Sequence, residues 1–410
     1  MQRGTNLGRL GDFNQAVIFD SIRRAPDGVS RVELASSTGL SPQTISNVVR
    51  RLLDNGFARE DRTVISGPGK PRTVLELEPD RLLAVGVHLD PAQMTVVLVN
   101  LRGHVLGSRR FADHDIDSPQ ATIGIMGDTI DELIRDSGQR RDHIVGVGVA
   151  APGPIDPDAG VIVTPPLMGG EWRSVEIVEP LMERLQLSVM LEKDSVAAAI
   201  AEQWNGDQER DRNFLSVYIG TGVGIGAVVG GEVLRGASNN AGEIGNVVVP
   251  VPVPGSEEPV ARSFGDAVSY ASMLELARAA GVDCAELEGA DTVGQRSQFL
   301  GTMVRRAREG DDSALEVLNR LNGIWSSLVA QLANVYDVDR VFLGGPVWSE
   351  ASSLLIEDAR EAIQSQFLMS SVHRLEVETS ALGHHLGAIG GACAVLDAAL
   401  SPKASALLLG

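Results

Sequence analysis

The sequence predicts an α/β protein in two parts: a small N-terminal winged helix-turn-helix, then a body of two similar lobes facing a cleft. Three observations carry this. Residues 1–74 hold eleven Lys and Arg against seven Asp and Glu in a chain of 410 residues with formal net charge −19, so a small basic module precedes a strongly acidic one. Within that module three short helical patterns lead into two β-prone stretches around a Gly-Pro-Gly tip. Beyond Leu82 a strand, glycine-bearing turn, strand, tight turn and strand recur about 130 residues apart, a period that implies domain duplication.

The first helix places Phe13, Val17, Ile18 and Ile22 on one face and stops near Ala25-Pro26-Asp27-Gly28. Ser30 and Glu33 have capping-box spacing and open a short helix that Gly39 ends. Ser41 then suits an N-cap, Pro42 the first helical position and Asn55-Gly56 the stop, which predicts a helix over 42–54. Along it Ile45, Val48, Val49 and Leu52 must pack on the preceding helices, leaving Gln43, Asn47 and Arg50, flanked by Thr44, Ser46 and Arg51, on the opposite face. Amide, hydroxyl and guanidinium groups suit base edges and phosphates in a major groove. For that helix alone a merely solvated face reads as well. The sequel changes the balance: β-prone Phe57–Arg59 and Thr63–Ser66, the tip 67–72, and alternating Val74–Leu77 form a hairpin whose Lys70 and Arg72 can reach a phosphate or the minor groove.

The expected division is a winged helix over 1–78, a first lobe over 79–195 and a second over 196–384, with a C-terminal helix near 385–400 returning to the first lobe. The first copy of the repeat runs through Leu83–Leu89, Thr95–Val99 and His104–Gly107; the second through Leu215–Gly220, Gly224–Val229 and Glu232–Gly236. The second copy contains Gly220-Thr221-Gly222-Val223-Gly224-Ile225-Gly226, whose close glycines let backbone N–H groups converge on an anion. It is neither a Walker A loop nor a dinucleotide fingerprint, and close packing of the lobes would explain the glycines equally. Nothing apolar enough to span or enter a membrane is present, so a cytoplasmic, nucleoid-associated protein is expected. Cys284 and Cys393 have no neighbours suited to a disulfide framework or a zinc site.

The run Ile219–Gly226, with Gly231, Gly236 and Asn240-Ala241-Gly242-Glu243-Ile244-Gly245, resembles the signature of the ROK family of repressors, open reading frames and kinases. Pro152-Gly153-Pro154-Ile155-Asp156, Trp172, Asp194 with Ala197-Ala198-Ala199, and Gly344-Gly345-Pro346 fall where family motifs would, and the head is similar to that of the NagC/Mlc/XylR branch. The resemblance implies an actin-like, sugar-kinase (ribonuclease H-like) fold for the body. It places Asp194 at the family's catalytic base, with capping of the following helix as its other role, and Glu243 and Asp266 at sugar-binding positions.

The departures from the family pattern point away from catalysis. His88-Leu89-Asp90-Pro91-Ala92 stands where kinases have Asp-x-Gly-Gly-Thr, so the first-lobe phosphate turn has lost its glycines and gained a proline without an N–H. Lys193 and Asn246 replace the family's Asn and His, and Pro250–Arg262 lacks the cysteines of the family's zinc loop. No catalytic residue, metal or cofactor is therefore expected, and Gly220, Thr221, Gly222 and Gly224 become a vestigial phosphate loop. Lys193 adds positive charge that would favour a phosphorylated or acidic ligand; the alternative is a salt bridge to Asp194 or Glu192. Together these readings predict a transcriptional regulator, most simply a repressor of carbohydrate-related genes. It would sense a sugar or sugar phosphate through Lys193, Asp194, Glu243, Asn246 and Asp266, and bind a palindromic double-stranded operator as a homodimer or dimer of dimers. The alternatives are a sugar kinase fused to a DNA-binding head, or a regulator controlled by a protein partner.

Overall fold

The computed structural model describes residues 7–25, 27–64, 72–111, 118–165, 168–206, 211–251, 258–285, 287 and 293–400. The head comprises α1 (Leu7–Arg23), β1 (Val29–Ser30), α2 (Arg31–Thr38), α3 (Pro42–Asp54), β2 (Ala58–Val64) and β3 (Arg72–Leu77), with the strands ordered β1-β3-β2. Both arms of the capping box form: Ser30 N–H donates to Glu33 Oε2 at 2.8 Å, and Glu33 N–H to Ser30 Oγ at 3.4 Å. Gly39 closes α2 in the left-handed region at φ 68°. The two β-prone stretches expected after Gly56 are one strand, β2, bulged between Glu60 and Thr63. Polar residues at the bulge do not break it, because Arg59 and Arg62 of this edge strand both pair with Glu76 of β3.

The first lobe follows with β4 (Leu83–Asp90), β5 (Gln93–Asn100), β6 (Val105–Phe111), α4 (Pro119–Asp136) and β7 (Ile144–Ala151). A small sheet of β8 (Ile155–Asp156), β9 (Val161–Ile162) and β10 (Val175–Glu176) intervenes before α5 (Val178–Leu185) and β11 (Val189–Lys193). Helix α6 (Asp194–Asn205) crosses to the second lobe: β12 (Phe214–Ile219), β13 (Val223–Val229), β14 (Glu232–Val233), the hairpin β15 (Val248–Val251) and β16 (Val260–Ser263), α7 (Phe264–Ala267), α8 (Tyr270–Ala279), α9 (Val293–Arg308), α10 (Asp312–Tyr336), β17 (Arg340–Gly344), α11 (Pro346–Ser365) and β18 (Glu376–Thr379). The last helix is α12 (Leu386–Leu400).

The duplication extends over whole sheets. The first is ordered β11-β7-β4-β5-β6 and the second β18-β17-β12-β13-β14; each has three antiparallel strands, then two added parallel to the central strand. Alternation along β4 sorts its side chains into two layers. Leu83, Val85, Val87 and Leu89 enter the outer core with residues of α4 and α5, whereas Ala84 joins the inner layer beside α6 and α12. There α12 packs on β4, β7 and α6 at very short range. A side chain added at Gly390 would put its Cβ 2.0 Å from the Ala197 carbonyl oxygen.

Candidate nucleic-acid interface and interlobe cleft

On α3, Ser41 accepts the Thr44 N–H at 3.2 Å and Pro42 occupies the first position, so the helix starts where both residues direct it. Ile45, Val48, Val49 and Leu52 are buried; Gln43, Asn47, Arg50 and Arg51 are exposed. Gln43 Nε2 donates to Asn47 Oδ1 at 3.2 Å, which aligns the two amides along the outer face. Thr44 and Ser46 sit at the margin, with hydroxyls engaged by the helix's own first turn: Thr44 with Ser41 at 2.9 Å, Ser46 donating to the Pro42 carbonyl at 2.8 Å. Arg72 is exposed, its guanidinium 3.8 Å from a Glu33 carboxylate oxygen; Lys70 lies outside the described residues.

The head is seated on the body by a contact with no signal in the local sequence pattern. Arg23, at the end of α1, is buried, stacks its guanidinium 3.7 Å from the centre of the Trp204 ring and donates to the Trp204 carbonyl at 3.4 Å. Asp20 balances its charge at 2.9 Å, and the Trp204 indole N–H donates to Leu101 O at 3.1 Å. Ile18, Phe19 and Ile22 of α1 belong to the same apolar cluster as Val196, Ala198 and Ile200 of α6 and Ala392 and Leu396 of α12. Trp204 closes the end of α6 whose other end is Asp194, about 15 Å away at 1.5 Å per residue.

Asp194 lies in a cleft of about 260 Å³ at the carboxyl ends of the central strands β4 and β12. Lys193, Asp194, Glu243, Thr221, Gly222 and Gly224 line it, together with Asp90, Pro91, Pro152, Gly153 and Tyr218. The buried Lys193 ammonium meets Glu243 Oε1 at 2.5 Å and the Asn240 carbonyl at 3.4 Å. In place of the alternative salt bridge to Asp194 or Glu192, Lys193 thus pairs across the cleft, and Glu192 pairs with Arg235 at 3.1 Å. Asp194 is the first residue of α6 and not its N-cap, which is Lys193; its Oδ1 accepts the Ser195 N–H at 2.6 Å. Loss of hydration in the cleft raises its carboxyl to about 7, opposed by Lys193 and the Ser195 N–H and aided by Glu243 and Asp90.

Two expected ligand residues are not on the cleft wall. Ile244 is buried in the second-lobe core and Gly245 lines the cleft, so the turn leaves Asn246 exposed. Asp266 is engaged by the N-cap of its own short helix: its carboxylate accepts the hydroxyl of the capping Ser263 at 2.6 Å. In the glycine turn, Gly220 N–H donates to Gly222 O at 2.9 Å. Further along, a Cβ at Gly226 would lie 2.2 Å from Ser195 O, so that glycine serves the approach of β13 to α6. Sequence reasoning missed Asp90 and Tyr218 as cleft residues, and Asn240 beside them. Asn240 receives the Ile155 N–H and donates to the Ile155 carbonyl, both at 2.8 Å, joining the lobes at the rim. Among the described residues no group of three or more His, Cys, Asp and Glu could hold a metal ion, and no helix is long and apolar enough to cross a membrane.

The fold and cleft define a two-lobed protein of the sugar-kinase type, carrying a winged helix in front. The ROK family pattern matches residues 84–398, and the chain belongs to the ROK family. It is 23% identical over 385 residues to the xylose repressor of Bacillus subtilis, covering 94% of this chain and 95% of that one. A glucokinase of Halalkalibacterium halodurans is 27% identical over 311 residues, covering 75% of this chain and 93% of its own. A solved ROK family transcriptional regulator, a homologue of the Escherichia coli Mlc protein, superposes with a TM-score of 0.72 at 21% identity over 98% of both chains.

Proposed function

We propose that this chain is a sequence-specific DNA-binding transcriptional regulator, most simply a repressor of carbohydrate-related genes, whose cleft senses a sugar without phosphorylating it. The observation that carries this reading is the seating of the head: α1 stacks through Arg23 on the far end of the helix whose near end, Asp194, is in the cleft. A ligand that favours one placement of α6 therefore favours one placement of α3. A differential affinity of about 1–3 kcal/mol would change operator binding about 5–150-fold. Similarity to the xylose repressor runs through the head, whereas the glucokinase covers three quarters of the chain, which supports regulation over catalysis. A homodimer or dimer of dimers presents two α3 faces to a palindromic site with half-sites about 34–36 Å apart.

The test is a genome-wide footprint of the full chain, each recovered site being retitrated with xylose, glucose, N-acetylglucosamine and their phosphates. Palindromic sites beside carbohydrate genes, released by one compound, are expected. Binding that is tight yet indifferent to every compound would remove the sugar from the reading, and turnover of any of these sugars with ATP would remove the assignment as a non-kinase.

A further inference from the structure

Strand β4 ends on Asp90, and alternation puts this residue on the same inner face as His88, where both reach the other lobe. His88 packs edge-on against Tyr218 with ring centres 5.0 Å apart. Asp90 is 7% exposed. Its Oδ1 accepts the Ala92 N–H at 2.9 Å, closing the turn into β5, and also the Thr221 hydroxyl; Oδ2 lies 3.4 Å from the Thr221 N–H. Thr221 sits inside the glycine turn of the second lobe, the kind of turn whose N–H groups collect an anion. A buried carboxylate persists only where donors compensate for lost water, and donors to a charged acceptor bind roughly twice as strongly as to a neutral one. The Lys193 ammonium of the same cleft is already engaged by Glu243.

We propose that Asp90 is an internal ligand of the second lobe's glycine turn: it fills the anion position from within, latches the lobes at that end and keeps phosphate out of the cleft. With the first hairpin no longer built to hold a phosphate, the anion facing this turn is supplied by the chain itself. An effector then presents an uncharged end to this turn, which favours a free sugar over a phosphate ester. The latch does not depend on the cleft taking a sugar, so its test needs no effector.

The test is calorimetric titration of the full-length protein with inorganic pyrophosphate, comparing wild type, Asp90→Asn and Asp90→Gly. Asparagine keeps an acceptor oxygen for Ala92 and Thr221 but drops the charge; glycine empties the position. Pyrophosphate binding at least about tenfold tighter in Asp90→Gly than in wild type is expected, with Asp90→Asn between them. Should Asp90→Gly fail to fold, Asp90→Asn decides alone. Equal affinity in wild type and variants, or variants with wild-type circular dichroism that bind no tighter, would overturn the proposal.

Discussion

At the scale of single residues, Asp194 has a cost that depends on pH. Its carboxyl is raised in the folded chain to about 7 from an ordinary value near 4, so the folded state holds a proton that the unfolded chain has lost. Below both values the residue contributes nothing; as pH climbs through the interval the folded state is progressively disfavoured, and above about 7 the penalty is complete. Asp194→Asn should therefore raise the melting temperature at about pH 8, by an amount corresponding to roughly 1–3 kcal/mol after allowance for cleft water, and by less at about pH 5. Melting curves at the two pH values check this; an equal shift at both would refute it. On the exposed face of α3 that we propose meets DNA, Arg50→Ala should weaken operator binding by about 1–3 kcal/mol if the side chain reads a base edge, or flatten the salt dependence by about one unit if it holds a phosphate. Titrations at several salt concentrations distinguish the two, and an unchanged affinity would take Arg50 off the interface.

At the scale of elements, α6 and α12 are held together by the near-contact of Gly390 with Ala197, where even a methyl group must displace backbone. Gly390→Ala should lower the urea midpoint by an amount equivalent to about 1–3 kcal/mol, the usual cost of overpacking, with the slope unchanged. Helix α3 was legible to the residue because its cap, its proline and its apolar spacing agree locally. The lobes were legible as a repeat, but only in their antiparallel halves, since the parallel strands β7, β11, β17 and β18 are joined by helices of unequal length that blur the register. Among the cleft residues, Lys193, Asp194 and Glu243 were found by their motifs. Asp90 was met only as a missing glycine, and Asn246 and Asp266 were placed in the site although the turn after Ile244 and the cap at Ser263 direct them elsewhere. What separates the two groups is the long-range partner: Thr221 lies 131 positions from Asp90, and no local pattern reports it.

At the scale of the molecule, head and body share one apolar cluster and a buried cation on an indole. Trp204→Ala should remove about 3–5 kcal/mol of packing and, by freeing the head, split a single calorimetric transition into two, the smaller belonging to the winged helix. A lowered but undivided transition would mean that the remaining contacts of α1 with α6 and α12 suffice for cooperativity. The Arg23–Trp204 contact also bears on inheritance. A winged helix that merely hung from a linker could be exchanged between relatives by recombination anywhere in that linker. Here a transplanted head keeps its communication with the cleft only if it brings an arginine that fits the recipient's tryptophan, two positions 181 residues apart in the gene product. Chimaeras joined between β3 and β4 should thus bind the donor's operator yet answer the recipient's signal only when the donor head carries an arginine that fits the recipient's tryptophan.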